Sequence, residues 1–424
     1  MAQDKKYIPE LRFPEFKNDG EWILETIGTI ADTFSGGTPT VGNIEYYGGD
    51  IPFIRSGEIS NDKTELFITE SGLSNSSAKM VDKGTVLYAM YGATSGEVAI
   101  SKISGAINQA ILAIIPKSQE YSSSYIYHYL KHNKQYILGK YLQGGQGNLS
   151  ANIINNLLIY LPCDSEGKVS IKEQQKIADC LSSLDEYINV TKQKVEQLKE
   201  HKKGLMQRLF PTKGKTTPEF RFSEFLYDGE WDSCPVAKIF DRVTRKNKGR
   251  SQNVLTISSR YGLVSQFEYF NKNVAAADLA NYYLIEEGDF AYNKSRSQGY
   301  PYGVIRSLKS CKEGVVSPIY LCFRLKDYAK HNNDYFEYLF DSDVMSSEIG
   351  KVAQEGARNH GLLNIPTDNF FNIIFVVIPP SKEEQDKIAL CLSSLNKLIL
   401  AYEKSVSIME QHKKALMHQL FPEF

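Results

Sequence analysis

"EQQKIADCLSSL", residues 173–184, is written again as "EQDKIALCLSSL" at 384–395, identical at ten of twelve positions across a shift of 211. From Ile177 onward a seam recurs at alternating spacings of four and three: Ile177, Leu181, Leu184, Ile188, Thr191, Val195, Leu198, Lys202, Leu205, Leu209. The second copy repeats it position for position as Ile388, Leu392, Leu395, Ile399, Tyr402, Val406, Met409, Lys413, Leu416, Leu420. Such spacing is a heptad stripe on an α-helix, uninterrupted by proline until Pro211 and Pro422 stop the two runs. Each run predicts a helix of roughly 50 Å at ~1.5 Å per residue. A lone helix with such a seam must bury it, and equal length, register and stop predict that the two pack on each other.

Two further blocks repeat. "HKKGLMQRLFP" (201–211) returns as "HKKALMHQLFP" (412–422), and "PELRFPEFKNDGEW" (9–22) as "PEFRFSEFLYDGEW" (218–231). The chain is therefore two tandem halves: a body over 1–168, a helix over 169–211, a second body over 212–380 and a second helix over 381–424. Body two follows helix one through a short linker and feeds helix two directly. Helices paired along their length then run antiparallel, with a body at each end and an internal pseudo-twofold.

At 424 residues, 42% hydrophobic and 12% aromatic, the composition is that of an ordinary folded protein. A formal net charge of -1 gives no global argument for nucleic acid, so any such binding rests on local patches. The start does not resemble a signal peptide, and the longest apolar stretch, "FFNIIFVVIPP" (370–380), is too short to span a bilayer and reads as a buried strand. Six cysteines without a CxxC pair point to reduced thiols and a cytoplasmic protein with no membrane partner. "KGKTT" (213–217) lacks the first glycine of a phosphate loop and follows a helix. "HYLKH" sets His128 and His132 one helical turn apart without a third ligand, so no metal is expected. No catalytic motif or glycine-rich cofactor loop is evident, which leaves no catalytic residue and no cofactor to assign.

Both bodies read as mixed α/β. Short strand candidates such as "TVLYAM", "AILAIIP", "NVLTIS", "GVVSPIYLCF" and "IIFVVIP" alternate with polar loops and with helices such as "SSYIYHYLKHN" and "NDYFEYLFDSD". The first body offers Arg55, Ser56, Tyr91, Thr94, Gln143, Gln146 and Asn148 in those loops. The second offers Arg242, Arg245, Lys246, Lys248 and Arg250 with no acid after Asp241, then Lys294, Ser295 and Arg296, then Arg358, Asn359 and His360. Lysine and arginine neutralise phosphates, arginine bonds guanine edges, and asparagine or glutamine bonds adenine edges, so these loops are candidate DNA readers.

"GGTP" (36–39), "INQAILAIIP" (107–116), "NLSANIINNLLIYLP" (148–162) and "EEGDFAYNKS" (286–295), with the repeated helix starts and endings, give the whole chain a resemblance to the specificity subunits of type I restriction-modification systems. That resemblance implies two target-recognition domains, each reading half of a split asymmetric double-stranded DNA site, joined by paired helices that set the unread gap. It implies two modification subunits that bind S-adenosylmethionine and methylate adenine N6, and motor-nuclease restriction subunits that use ATP and magnesium. The chain itself is then non-catalytic. Two rival readings are a coiled-coil adaptor with no DNA role and an enzyme whose site lies unrecognised in the bodies.

Overall fold

The computed structural model describes residues 7–142, 148–212, 214–270, 278–355 and 361–422. The chain divides into two units, 1–192 with 404–424 and 193–403, so each long helix gives one part of itself to each unit.

In the first unit β1 (Ile23–Thr26), α1 (Ile27–Ile30) and β2 (Ala31–Ser35) lead to β3 (Tyr47–Ile54), β4 (Leu66–Ile68), α2 (Glu70–Ser74) and β5 (Lys79–Val81). β6 (Val86–Ala89), β7 (Val98–Ile100), β8 (Gly105–Ile107) and β9 (Ile111–Pro116) follow. Next come α3 (Ser123–His132), α4 (Lys134–Tyr141), α5 (Ala151–Asn155), β10 (Leu158–Leu161) and the long helix α6 (Ile171–Leu209). One antiparallel sheet has the order β2-β9-β6-β7; a second, β4-β3-β8-β5, is mixed, with β3 and β8 parallel. Ile111 to Ile114 are all buried, which is why "AILAIIP" shows no apolar–polar alternation: β9 is covered on both faces. Ser122 caps α3 by accepting from Tyr125 N, and the i,i+4 pairs Tyr125/Tyr129 and Ile126/Leu130 turn inward.

The second unit repeats this plan. β11 (Asp232–Pro235), α7 (Val236–Ile239), β12 (Phe240–Val243), β13 (Leu255–Ser258), β14 (Gly262–Ser265), α8 (Gln266–Phe270), β15 (Tyr283–Glu286) and β16 (Phe290–Asn293) come first. β17 (Val304–Ser307), β18 (Glu313–Val316), β19 (Leu321–Leu325), α9 (Asn333–Phe340), α10 (Asp343–Gly350), β20 (Gln354–Glu355), β21 (Leu363–Asn364), α11 (Thr367–Asn372), β22 (Phe375–Ile378) and the long helix α12 (Lys382–Leu420) complete it. Its four-stranded sheet is β12-β19-β16-β17, strand for strand the first unit's order. The parallel bridge Val254–Val315 stands where β3 meets β8, and β15 pairs β18 as β5 pairs β8. Two expected strands are broken: "FFNIIFVVIPP" holds the end of α11 before β22, and "GVVSPIYLCF" turns at Ser317–Pro318 between β18 and β19.

Every seam position is buried or half-buried. Ile177, Leu181, Ile188, Val195, Leu209, Ile388, Leu392, Ile399, Val406 and Leu420 are fully buried, whereas Leu184, Leu198, Leu205, Leu395, Met409 and Leu416 are partly covered. Full burial of one such side chain contributes about 1.5–3 kcal/mol. Within the first unit Lys192 pairs with Glu410 at 2.6 Å and Asp185 with Lys413; within the second Lys199 pairs with Glu403 at 3.1 Å and Lys202 bonds Asn396 at 2.8 Å. In each unit the numbering rises on one helix as it falls on the other, so the two segments are antiparallel.

The repeated sequence blocks meet at each unit's helix start. The Arg12 guanidinium donates two 2.7 Å bonds to the buried Glu173 carboxylate, and Arg221 donates two 2.8 Å bonds to Glu384. Gln174 accepts from Ser122 N as Gln385 does from Asn332 N, each at 3.0 Å. The end of the opposite helix fills the space beside them: Phe421 packs on Tyr125 at 5.6 Å and Phe210 on Tyr335 at 5.7 Å between ring centroids. Trp22 and Trp231 lie edge-on to the same tyrosines.

Candidate nucleic-acid interface

The β6–β7 loop of the first unit carries Tyr91 and Thr94, and it runs beside the segment preceding α5: Tyr91 bridges Asn148, and Leu149 N donates to Met90 O at 2.8 Å. Asn148 is exposed, while Tyr91 and Thr94 are half-buried. In the second unit the equivalent β16–β17 loop carries Lys294, Ser295 and Arg296 and runs beside the segment preceding α11. Ser295 bridges Leu362, Leu363 N donates to Lys294 O at 3.0 Å and Arg296 N to Gly361 O at 2.8 Å. Both loops close on a glycine with positive φ, Gly96 at 81° and Gly303 at 84°; at Gly303 a Cβ would lie 2.2 Å from Asn293 O. In the first body candidates far apart in sequence, Tyr91 and Asn148, therefore converge, and in the second the loop at the same topological position sets Lys294, Ser295 and Arg296 beside residues 361–363. Gln143, Gln146, Arg358, Asn359 and His360 lie outside the described residues. The glycine-closed loops "YGATSG" and "NKSRSQGYPYG", each preceding a variable segment before the last strand, were the signal of equivalence that sequence reading missed.

The 242–250 run splits into two classes. Arg245 donates to Glu286 at 2.7 Å and to the buried Asp289, whose carboxyl burial pushes above its ordinary value although Arg245 and Arg324 face it. Arg250 pairs with Glu313 at 2.6 Å, and Lys246 lies 4.1 Å from the Tyr283 ring centroid and donates to Asn281 O. The sequence holds no acid after Asp241 within the run, yet β15, the turn after it and β18 bring Glu286, Asp289 and Glu313 against it. Arg242 and Lys248 are exposed and carry no ion pair among the described residues. Lys248 holds φ at 49°, presented by a turn in which its N–H donates to Ala280 O. Arg242 lies near Lys294, whose pKa is lowered first by burial and then by that guanidinium, so the two form a local positive field.

Arg55 stands elsewhere, at the end of β3. It bonds Glu58 and Glu65, and Arg55 in turn draws the Glu58 carboxyl down to about 2. Ser56 is half-buried in the 3-10 turn between them. That guanidinium is a clamp on its own loop.

His128 is buried with Nε2 2.9 Å from Ser182 Oγ, and burial, then the Lys413 charge, lowers its pKa to about 3. Among the described residues no group of three His, Cys, Asp or Glu is placed to hold a metal, and no helix is long and apolar enough to cross a membrane.

The family profile described as the type I restriction modification DNA specificity domain matches residues 20–200. The type I restriction enzyme MjaIX specificity subunit of Methanocaldococcus jannaschii is 31% identical over 220 residues, 50% of this chain and 48% of that protein. The MjaVIII specificity subunit of the same organism is 24% identical over 98% of this chain and 94% of its own length. The chain thus spans about half of the first relative, 48%, and nearly all of the second, 94%. The crystal structure of a type I restriction-modification S subunit from M. genitalium shares the fold with a TM-score of 0.61 at 15% identity, covering 98% of this chain and 99% of that one.

Proposed function

Because the chain belongs to the specificity subunits of type I restriction-modification systems, we propose that it reads a bipartite asymmetric DNA site, one half with each body, for partner subunits that act on it. The carrying observation is the contrast inside the duplication: the helix-start contacts recur residue for residue, while the paired loops at one topological position differ completely. The first body presents Tyr91, Thr94 and Asn148 there, and the second Lys294, Ser295 and Arg296. A shared frame with different loops suits two readers of different half-sites. The bodies over 1–168 and 212–380 are the two target-recognition domains, and the helices over 169–211 and 381–424 space them and dock two modification subunits. Restriction subunits join the same complex in the cytoplasm. S-adenosylmethionine, ATP and magnesium bind those partners, and this chain supplies recognition without catalysis.

The test replaces residues 212–380 by the matching body of a relative, with a modification subunit supplied. Sequencing N6-methyladenine should show one half-site exchanged and the other retained. Methylation at an unchanged target would overturn the reading.

A further inference from the structure

The second unit holds a cleft of about 590 Å³ between its helix pair and the β13–β14 hairpin, floored by the end of α9. Its lining carries six basic and four acidic side chains. Three of the acids are spent: Asp341 holds Arg306 at 2.6 Å, Glu337 holds Lys309 at 3.1 Å, and Glu403 takes Lys199 and Arg260. The fourth, Asp343, accepts from the Gln207 amide at 3.0 Å. Lys202 has no carboxylate of its own. It donates to the Asn396 amide oxygen at 2.8 Å and lies 5.2 Å from the Tyr338 ring centroid. Lys203, exposed at the rim, makes no ion pair among the described residues.

The duplication supplies an internal control. Lys413 is the same seam lysine in the first unit, and there the residue matching Asn396 is Asp185, which pairs with it directly. Deleting that carboxylate from the second unit leaves a half-buried ammonium facing an open cleft, the desolvated cation that an incoming anion relieves. Both arginines in the wall are already committed, so the cations without a carboxylate partner among the described residues are two ammonium groups, which suit a phosphate as point charges. Met206, one turn along α6 from Lys202, gives the helix wall an apolar stretch with Ile399 and Leu400, and the exposed ring of Tyr261 lines the hairpin side. The volume lies in the range of small-molecule sites.

We propose that this cleft binds a phosphate carried on a small organic body of mononucleotide size, with the phosphate on Lys202 and Lys203 and the flat body against Met206 and Ile399. The same phosphate chemistry is offered by a free mononucleotide and by a DNA backbone. With a free mononucleotide as occupant the site is independent of DNA reading; with a backbone phosphate it rests on the proposed DNA contact.

Titration of the full chain with AMP and with inorganic phosphate, followed by calorimetry, tests it. Asn396→Asp restores the first unit's carboxylate without changing side-chain size, so it should preserve or raise thermal stability while weakening AMP at least about tenfold, the scale of a lost charge-assisted bond. Lys203→Ala, at the exposed rim, should weaken AMP several-fold without altering the fold. Competition with a short duplex of random sequence separates the two sources. AMP binding that the duplex leaves intact assigns a free ligand; duplex binding that Asn396→Asp weakens, with AMP inert, assigns a backbone phosphate. Equal AMP affinity in wild type and Asn396→Asp overturns the proposal, as does an inert AMP and phosphate with duplex binding indifferent to the substitution.

Discussion

The two units share a register and not a core. Val86 faces Ile114 across the first unit's sheet, and at the same register Phe290 faces Phe323 in the second, their rings stacked at 5.2 Å. Phe240, Phe336 and Phe340 extend the second cluster, where the first has Ala31, Ile126 and Leu130 at the matching positions. Interiors tolerate such exchange when volume is redistributed. The contacts at the helix starts do not vary in this way: Arg12 and Arg221, Glu173 and Glu384, Gln174 and Gln385 keep identity as well as place. The difference teaches what constrains each part. A core needs only to be filled, whereas a buried ion pair joined to a crossing helix end needs particular atoms at particular positions.

The strongest way to exploit that constraint is to remove one unit altogether. The end of α12 and the residue after it bring Lys413, Leu416, Met417, Leu420 and Phe421 into the first unit, and the end of α6 and the residue after it carry Lys202, Leu205, Met206, Leu209 and Phe210 at the matching positions, identical throughout. A chain cut after Pro211 should therefore dimerise, each copy lending its helix end to the other. Lys192 would then meet Lys199 in place of Glu410, an exposed like-charge contact costing under about 1 kcal/mol. Two identical bodies related by a twofold axis read a palindrome. With the modification subunit present, methylation should move entirely to an interrupted palindrome built from the first half-site. Methylation at the original asymmetric target would contradict this interchange.

Breaking one ion pair asks whether the copies are equal in weight. Arg12→Met or Arg221→Met strands a carboxylate only 1% exposed, a loss of about 3–5 kcal/mol. The first should cost more. Arg12 also donates to the carbonyls of Asp19, Gly20 and Cys163, where Arg221 adds that of Gly229, and Glu384 retains a 3.3 Å bond from the Trp231 indole when Arg221 is gone. The chain has two tryptophans, Trp22 and Trp231, one in each unit, so denaturant unfolding of the two single-tryptophan variants, Trp22→Phe and Trp231→Phe, reports each unit separately. A loss below 1 kcal/mol in either would mean that the pair is not what fixes the helix start.

How far the sequence disclosed all this follows from the range of each signal. The helices were legible because a seven-residue period sustained from Ile177 to Leu209 has no strand counterpart. The likeness of the bodies was hidden because Val86 to Phe290 and Ile114 to Phe323 preserve register without preserving identity. The fate of Arg245 was hidden because its carboxylates, Glu286 and Asp289, arrive from the end of β15 and the turn after it, some forty residues away. Local composition reads such a run as free charge, and only pairing reveals which charges are spent.

That distinction yields the finest contrast. In the second body Arg242 occupies the register held by Thr33 in the first, and with Lys248 it is an exposed cation with no carboxylate in contact among the described residues. Arg242→Ala with Lys248→Ala should leave folding unchanged and flatten the salt dependence of DNA binding by the assembled complex by about two units of slope, close to 0.9 per phosphate contact. Arg245→Ala should do the reverse, because its charge is already matched by Asp289 and Glu286: stability falls by about 1–3 kcal/mol and the slope holds. The double variant should lose affinity equally for sequences that differ only in the second half-site, since phosphate contacts carry no base identity. A slope that shifts with Arg245 and not with Arg242 and Lys248 would reverse the assignment, placing the DNA against the ion-paired face of the run.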